Sequence, residues 1–210
     1  SYTVPQHQII DGTTYLDTPE GDMPIEIFGE HNLSNLAGAK WMCQHMGIDE
    51  DDFYEAISTF KGASKRLEKI AESNNSVAFK DFAHSPSKVE ATTNAVKEQY
   101  QNHTLVACLE LHTYSSLNAE FLKEYKGTLD AADVAVVFYS PHAVEIKKLE
   151  AITKKQIATA FERDDLIIYT NPDDFKQFLF LQYFNNKALL LMSSGNYGGL
   201  DFEEVTRLIS

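Results

Sequence analysis

The sequence predicts an α/β protein whose main domain is a mainly parallel sheet with helices on both faces. From about residue 70 onward, short apolar runs alternate with helical segments. Strands of this kind need crossover connections, and they pair in parallel in a sheet that is buried on both sides. Hydrophobic residues make up 43% of the chain, enough for a substantial core. The pattern therefore favours a Rossmann-like arrangement.

The first 59 residues follow a different pattern, of short strands and then two helices. Asp11-Gly12 lies between two apolar runs and is a strong hairpin signal. Asp49 is a favourable N-cap for the second helix. Residues 60–68 resemble a connector, so we place the boundary there and predict domains 1–59 and 60–210. The expected elements of the first domain are strands at 8–10, 14–16 and 24–28 and helices at 32–46 and 50–59.

The second domain contains the alternating elements. A proline follows Ser85 and Asn171, and proline fits the first turn of a helix because that position needs no backbone N–H. Thr153 is a third favourable helix start. No segment repeats at a fixed period or has low complexity. The expected strands are 77–79, 104–109, 134–138, 166–169 and 188–192, and the expected helices are 85–100, 118–129, 153–161, 171–184 and 203–209.

The formal net charge of −13 argues against nucleic acid and membrane partners, because both carry negative charge. No apolar run reaches the roughly 18 residues that a membrane span needs, and no signal peptide opens the chain. The start at residues 1–5 looks like a cut inside a larger protein. We therefore expect a cytoplasmic protein that acts on small molecules.

Cysteine and histidine spacing gives no indication of a metal site. Cys43 and Cys108 lie in apolar surroundings, which is typical of buried free thiols in a reducing compartment. His84 and His112 have no His or Cys partner at ligand spacing. Orienting hydrogen bonds are therefore favoured over metal binding or base catalysis for these two histidines.

The loops that follow the predicted strands hold the candidate binding groups. In an open parallel sheet, ligands bind beyond the carboxyl ends of the strands. Three of the seven histidines follow such strands, and residues 193–199 form the densest Ser/Gly run. A glycine-rich turn exposes backbone N–H groups that can hold a carboxylate or phosphate, although a plain tight turn has the same composition. The candidate edge comprises loops 80–86, 110–116, 139–142 and 193–199.

Two nucleotide signatures are missing from the sequence. It has no Gly-x-x-x-x-Gly-Lys-Ser/Thr phosphate loop and no Gly-x-Gly-x-x-Gly fingerprint. Asn32 and Asn35, three residues apart at a helix start, would face the same way. A side-chain amide matches the N6/N7 edge of adenine. The alternative is that Asn32 caps the helix and Asn35 is solvated.

Four motifs occur in order between residues 26 and 140. They are Gly-x-His-Asn-x-x-Asn at 29–35, Phe-x-Gly-x-x-x-Arg-Leu-Glu at 60–68, Asp-Phe-Ala-His-x-Pro at 81–86 and His-Thr-Tyr-Ser at 112–115. In their order and spacing the chain resembles the Mur ligase superfamily, the ATP-dependent amide ligases of bacterial cell-wall synthesis. Four linked motifs are far more specific than any one of them.

The resemblance implies that residues 1–59 are the incomplete end of a central ATP-binding domain and that 60–210 are the C-terminal domain. It implies a ligase that uses ATP and Mg2+ and forms an acyl phosphate. Both ATP and Mg2+ would be bound mainly by parts of the enzyme that this chain does not contain. This chain alone would hydrolyse no ATP, and no catalytic residue is assigned to it. The resemblance assigns ATP contacts to His31, Asn32, Asn35, Arg66 and Asp81, and amine-substrate contacts to His84, His112, Thr113, Tyr114, Ser116, Ser194, Gly195 and Asn196.

The closing run, residues 191–199, most resembles the murein peptide ligase branch of the superfamily. That branch joins L-alanyl-γ-D-glutamyl-meso-diaminopimelate to UDP-N-acetylmuramate in peptidoglycan recycling, so this is the reaction we expect. The branch that adds L-alanine to UDP-N-acetylmuramate ranks second. A folylpolyglutamate-synthase-like ligase and a binding module without ligase activity remain as alternatives. ATP, UDP-N-acetylmuramate and a peptide or amino acid are the expected partners.

Three residues depart from the pattern of the family. Lys80 stands where a second acidic residue often precedes Asp81, and Ser85 stands where a second histidine is common. Ser116 stands where an arginine often follows the Tyr-Ser pair. The absence of that arginine removes a group that binds carboxylates, so Lys80 or the glycine-rich turn would have to replace it.

Overall fold

The computed structural model describes residues 3–209 and contains two β-sheets with separate hydrophobic cores. A three-stranded antiparallel sheet belongs to the first part of the chain and a six-stranded sheet to the remainder. The interpretation of the chain start as a cut rests partly on residues 1 and 2, outside the described residues. From residue 3 to residue 209, no helix is long and apolar enough to cross a membrane.

The N-terminal part is an antiparallel sheet that supports two helices. Asp11 and Gly12 have φ angles of 47° and 77°, which are the left-handed values that a two-residue hairpin turn needs. The predicted hairpin is therefore confirmed. The elements are β1 (His7–Ile10), β2 (Thr13–Thr18), β3 (Gly21–Ile25), α1 (Glu30–His45) and α2 (Glu50–Ser58), and their core contains Leu16, Ile25, Leu33, Leu36 and Phe53.

Helix α1 begins two residues before its predicted start at Asn32. Gly29 precedes the first turn with φ at 85°, and its carbonyl accepts hydrogen bonds from Asn32 N and Leu33 N at 3.0 Å. This left-handed conformation favours glycine because it has no Cβ. The alternative in which Asn32 caps the helix is therefore wrong. Asp49 caps α2 as predicted, since its side chain accepts from Asp52 N.

The six-stranded sheet confirms the predicted α/β class. Its strands are β4 (Glu68–Glu72), β5 (Ser76–Asp81), β6 (Thr104–Glu110), β7 (Val134–Phe138), β8 (Ile167–Tyr169) and β9 (Lys187–Met192). Their order is β4-β5-β9-β6-β7-β8, with β4 antiparallel to β5 and the other pairs parallel. Strand β9 comes last in the chain but lies between β5 and β6, so the loop that follows it lies beside theirs.

Helices cover both faces of this sheet, as the sequence predicts. One face carries α3 (Pro86–Gln99), a 3-10 helix (Phe121–Tyr125), α4 (Pro141–Ile146) and α5 (Lys154–Phe161), and the other carries α6 (Pro172–Phe180) and α7 (Phe202–Ile209). Alternate residues of β6 are buried against opposite faces: Ala107 packs into the first core and Cys108 into the second. Cys108 is a buried free thiol as expected, whereas Cys43 on α1 is only half-buried.

The segment after β6 differs from the prediction. The helix expected at 118–129 is a short 3-10 helix followed by turns. Asn118 Oδ1 accepts from Glu120 N and Phe121 N, which fixes a turn at the start of the segment. Gly127 then adopts φ at 75°, outside the helical range. Two further elements, β4 and α4, are not predicted by the sequence pattern.

The two parts of the molecule are in contact beside α3. Phe28 packs edge-on against Phe79 of β5, with ring centroids 5.3 Å apart. The buried amide of Gln99 links the parts, because its Oε1 accepts from Thr14 Oγ1 at 3.0 Å and its Nε2 donates to Gly12 O at 2.7 Å. These contacts set the position of the N-terminal part relative to the carboxyl edge of the main sheet.

Candidate active site

The loops at the carboxyl ends of β5, β9 and β6 meet at one edge of the sheet. Ser193 N, directly after β9, donates to Asp81 O at the end of β5 at 3.0 Å. The Ser193 hydroxyl donates to the Glu110 carboxylate at the end of β6. The three loops are therefore joined by hydrogen bonds as well as by the order of their strands.

Glu110 is the most buried charged residue of this edge, with 3% of its surface exposed. Its Oε2 accepts from Ser193 Oγ and, at 2.8 Å, from Tyr197 N. Its Oε1 accepts no hydrogen bond from residues 3–209 and lies 3.6 Å from His112 Nδ1. One carboxylate oxygen is thus held by the glycine-rich loop, and the other faces a histidine.

The glycine-rich loop folds over Glu110 and is fixed by Tyr197. The Tyr197 hydroxyl lies 2.8 Å from Cys108 O and 2.9 Å from Met192 O. Burial raises the pKa of this phenol well above its ordinary value, so the hydroxyl stays protonated and donates to these carbonyls. At Gly195, a Cβ atom would lie 2.8 Å from Glu110 Oε2, so the close approach of the loop requires glycine.

The loop after β6 presents His112 and Tyr114 to solvent. The His112 side chain is 42% exposed, and the exposed Tyr114 ring has Lys147 Nζ 4.6 Å from its centre. Ser116 is buried, and its hydroxyl bonds to Thr113 N and Thr113 Oγ1, each at 3.0 Å. Ser116 therefore closes the turn. Of the four predicted substrate residues in this loop, Tyr114 is exposed, His112 and Thr113 are half-buried and Ser116 is buried.

Two further predicted substrate residues flank Gly195. Asn196 is exposed, and its Oδ1 accepts from Gly199 N at 3.2 Å. Ser194 Oγ is buried and has no hydrogen-bond partner among the described residues. A buried hydroxyl without a partner costs free energy. The Ser194 hydroxyl is therefore a polar group of this loop that the described residues leave unsatisfied.

Asp81 and His84 lie where β5 ends. Asp81 is buried, and its two carboxylate oxygens accept from Ala83 N and Leu67 N. The bond from Leu67 joins the connector to the sheet, so Asp81 has a structural role besides its predicted contact to ATP. His84 is half-buried, and its Nδ1 lies 2.8 Å from Phe82 O. It is the predicted substrate residue of the loop after β5.

His31, a predicted nucleotide contact, lies where α1 approaches α3. It lines a cavity of about 380 Å³ together with Ser34 of α1 and Asn94 of α3. Burial lowers the pKa of His31 below its ordinary value, and the negative charge of Asp81 opposes this shift. His31 and Asp81 are thus close enough to interact, although they lie in different parts of the molecule.

The other predicted nucleotide contacts differ in how far they are engaged within the protein. Asn32 Nδ2 donates to Phe28 O at 2.9 Å. Asn35 and Arg66 are exposed, and neither side chain has a hydrogen bond or an ion pair between residues 3 and 209. Lys80, the possible replacement for the missing arginine, places its Nζ 3.8 Å from the centre of the Phe202 ring on α7.

Of the predicted amine-substrate residues, His112 of the β6 loop and Gly195 of the β9 loop lie against Glu110. The sequence pattern predicts no role for Glu110, Ser193 or Tyr197, although Ser193 Oγ and Tyr197 N both donate to Glu110 where the two loops meet. The sequence signal for Glu110 is weak: it is an acidic residue at the end of an apolar strand, and nothing local pairs it with the Ser/Gly loop. Among the described residues, no group of three or more His, Cys, Asp and Glu side chains could hold a metal ion.

The chain is similar over most of its length to UDP-N-acetylmuramate–L-alanine ligases. It is 29% identical over 181 residues to the enzyme of that name from Agathobacter rectalis, covering 85% of this chain and 39% of the relative. It is 31% identical over 185 residues to that from Microcystis aeruginosa, covering 84% of this chain and 37% of the relative. The chain thus spans about two fifths of the length of these relatives. No protein-family model matches it.

Solved structures share the fold. The UDP-N-acetylmuramate–alanine ligase of Thermotoga maritima aligns with a TM-score of 0.70 at 14% identity, over 96% of this chain and 43% of that one. The murein peptide ligase of Psychrobacter arcticus aligns with a TM-score of 0.59 at 21% identity, over 97% of this chain and 44% of that one. At these identities the likeness concerns the fold. The sequence matches place the chain in the Mur ligase family, as its C-terminal region.

Proposed function

We propose that the chain is the C-terminal part of a cytoplasmic, ATP-dependent ligase that joins L-alanine to UDP-N-acetylmuramate in peptidoglycan synthesis. The observation that carries this proposal is the match to ligases of that name over 85% and 84% of the chain. The sequence motifs alone favour the tripeptide L-alanyl-γ-D-glutamyl-meso-diaminopimelate as the amine substrate, whereas these relatives favour L-alanine. L-Alanine is therefore the first candidate and the tripeptide the second.

In the proposed reaction, the sugar carboxylate takes the γ-phosphoryl group of ATP, and the amine then displaces phosphate from the acyl phosphate. This chain would contribute nucleotide contacts and the amine site. Arg66 fits a contact to phosphate or ribose, because its guanidinium is exposed and has no ion-pair partner in the described range. Asn32, Asn35 and His31 would lie near adenine. Asp81 would accept from the ribose with the lone pairs that its backbone contacts leave free.

The amine site would be the carboxyl edge of β6 and β9. His112 is accessible there, and Ser194 Oγ has no partner among the described residues. Mg2+ would be held mainly by the rest of the enzyme, as the resemblance implies, and we assign this chain no step that involves it. We also propose the domain boundary after residue 59, because the first part has a separate small core.

The tripeptide is kept as the second candidate because of the loop after β9. Residues 193–199 resemble the ending of murein peptide ligases, and Gly195 lets this loop lie directly against Glu110 and His112. The loop is thus positioned to discriminate between amine substrates, which is consistent with either candidate.

A competition assay tests the proposal. The full-length enzyme that contains this chain is given UDP-N-acetylmuramate, magnesium ATP, L-alanine and the tripeptide together, and mass spectrometry identifies the product. The expected product is the L-alanine adduct, and the 210-residue chain alone serves as the no-turnover control. A tripeptide adduct would move the assignment to the recycling reaction. Absence of both adducts would contradict the proposed ligase function.

A further inference from the structure

Asp81 and Glu110 are the two buried carboxylates among residues 3–209, and they differ in how they are satisfied. Both oxygens of Asp81 accept backbone hydrogen bonds. In Glu110 this holds only for Oε2, while Oε1 has no hydrogen bond within the described chain. Glu110 Oε1 is not one of the fully buried polar atoms that lack a partner in the described residues, so this oxygen is open to solvent or to a ligand. It is therefore the carboxylate oxygen of this edge that the fold leaves available.

The group that Glu110 Oε1 faces is His112. Its Nδ1 lies 3.6 Å away, within ion-pair distance but longer than a hydrogen bond. A carboxylate beside Nδ1 favours the tautomer that carries its proton there, and it leaves Nε2 as the acceptor. The His112 side chain is 42% exposed. Because Nδ1 faces Glu110, Nε2 is the ring nitrogen that is left for a substrate.

The loop after β9 holds both partners in place. Gly195 lies so close that a Cβ atom would be 2.8 Å from Glu110 Oε2 and 3.0 Å from His112 Cγ. The same loop places Ser193 Oγ and Tyr197 N on the carboxylate, while Tyr197 is anchored to the sheet by its hydroxyl. The pair is thus enclosed between the ends of two parallel strands, where the fold class places ligands.

We propose that Glu110 is a positioning residue of the amine site: it fixes His112 with Nε2 as a hydrogen-bond acceptor for the ammonium group of the incoming amine. The proposal rests on the proposed function for the identity of the ligand, but the Glu110–His112 arrangement itself does not. The carboxylate behind the imidazole also favours a cationic group in front of it. The site therefore selects its substrate by the amine end, without the arginine that Ser116 replaces.

Kinetics of Glu110→Gln in the full-length enzyme test this role. Gln keeps the shape and an acceptor for Ser193 and Tyr197 but turns an amide toward His112. The kcat/KM for the amine substrate should fall at least about tenfold, while the KM for ATP stays within about twofold. The matched control is Glu120→Gln, an exposed glutamate paired only with Lys123 in the described residues, which should leave both values unchanged. An unchanged kcat/KM for the amine in Glu110→Gln would overturn the proposal.

A double-variant cycle separates positioning from mere stabilisation. If Glu110 acts through His112, the double variant Glu110→Gln/His112→Asn should lose no more activity than His112→Asn alone. Losses that multiply would indicate that Glu110 acts independently of His112, which would overturn the positioning role. Should Glu110→Gln fail to fold, Ser193→Ala removes one hydrogen bond from Glu110 instead and should also lower kcat/KM for the amine.

NMR provides a readout that does not depend on the reaction. In protein labelled with 15N-histidine, the two ring nitrogens report which one carries the proton, and His112→Asn identifies the signals. The unsubstituted protein, the parent of these variants, should show His112 protonated at Nδ1. Glu110→Gln should shift the population toward the Nε2-protonated form. A parent that already carries the proton at Nε2 would overturn the proposal even if the enzyme proves to be a ligase. The expected tautomer without any adduct would refute only the ligase function.

Discussion

Asp81 has a predicted contact to ATP, and its side chain also stabilises the fold. Its carboxylate accepts from Leu67 N and Ala83 N in a buried position. Asp81→Asn replaces one acceptor by a donor and leaves a buried N–H without a partner, which should cost about 1–3 kcal/mol in the free energy of unfolding. Urea unfolding of the protein measures this cost.

The matched control for Asp81 is Asp164, an exposed aspartate without a hydrogen bond to its side chain in the described residues. Asp164→Asn should change the free energy of unfolding by no more than about 0.5 kcal/mol. If Asp81→Asn is as harmless as Asp164→Asn, the carboxylate has no structural role, and its function is confined to the ligand.

His31 should make stability depend on pH in a defined direction. Burial lowers its pKa below the ordinary value of 6.5, against the opposing charge of Asp81. As the pH falls through about 6.5, the unfolded chain takes up a proton before the folded one does, so stability is lost. The parent should therefore lose more free energy of unfolding between about pH 7.5 and about pH 5.5 than His31→Asn.

His103, whose pKa burial also lowers, is present in both proteins, so its effect cancels in the comparison. Equal pH dependence of the parent and His31→Asn would show that His31 titrates normally. The measurement is urea unfolding at each pH.

The sequence predicts part of the site at the level of single residues. His112 and Gly195 could be identified because they follow apolar strands whose carboxyl ends share an edge. Glu110 could not, because its burial depends on a loop that lies 83 residues further along the chain and contributes Ser193. Likewise, the engagement of Asp81 with Leu67 depends on how the connector returns to the sheet.

At the scale of elements, the buried strands are the most predictable. Strands β6, β7 and β9 are apolar runs, because both faces of the sheet are covered. Strand β4 reads Glu-Lys-Ile-Ala-Glu and lies at the sheet edge, where one buried residue suffices, so its sequence has little apolar signal. Helix α4 is only six residues long, too short for a periodic pattern.

Helix caps give a prediction at the same scale. Thr153 forms a capping box with Gln156 at the start of α5, whereas Ser85 starts α3 without a side-chain cap bond. Thr153→Ala should therefore cost about 1 kcal/mol in the free energy of unfolding, and Ser85→Ala no more than a few tenths of that. Equal losses in thermal or urea unfolding would mean that the capping box contributes nothing specific.

At the scale of the whole molecule, the two parts meet at Gly29. Its φ is 85°, and a Cβ atom would lie 2.6 Å from Ala95 Cβ on α3. Gly47 has nearly the same φ, 87°, with nothing within 4 Å of a Cβ atom. Gly47→Ala should cost about 1–2 kcal/mol for its positive φ. Gly29→Ala should cost more, because its ψ of 138° takes the backbone outside the left-handed helical region and a Cβ atom would also push α1 away from α3.

The difference between Gly29→Ala and Gly47→Ala in urea unfolding sets an upper limit on the contribution of the contact between the two parts, since it also contains the extra backbone strain at Gly29. Equal losses in the free energy of unfolding would show that moving the two parts away from each other costs no stability. In that case, the position of His31 relative to Asp81 would not be fixed by the fold.

Substitution of Gly195 tests most directly whether the amine substrate binds at the carboxyl edge of β6 and β9. In the full-length enzyme, Gly195→Ala places a Cβ atom against Glu110 and His112. The KM for the amine substrate should rise about fivefold or more while the KM for ATP stays within about twofold, and Gly47→Ala should change neither. An unchanged KM for the amine, or an equal rise in the KM for ATP, would contradict the proposal that the amine binds at this edge.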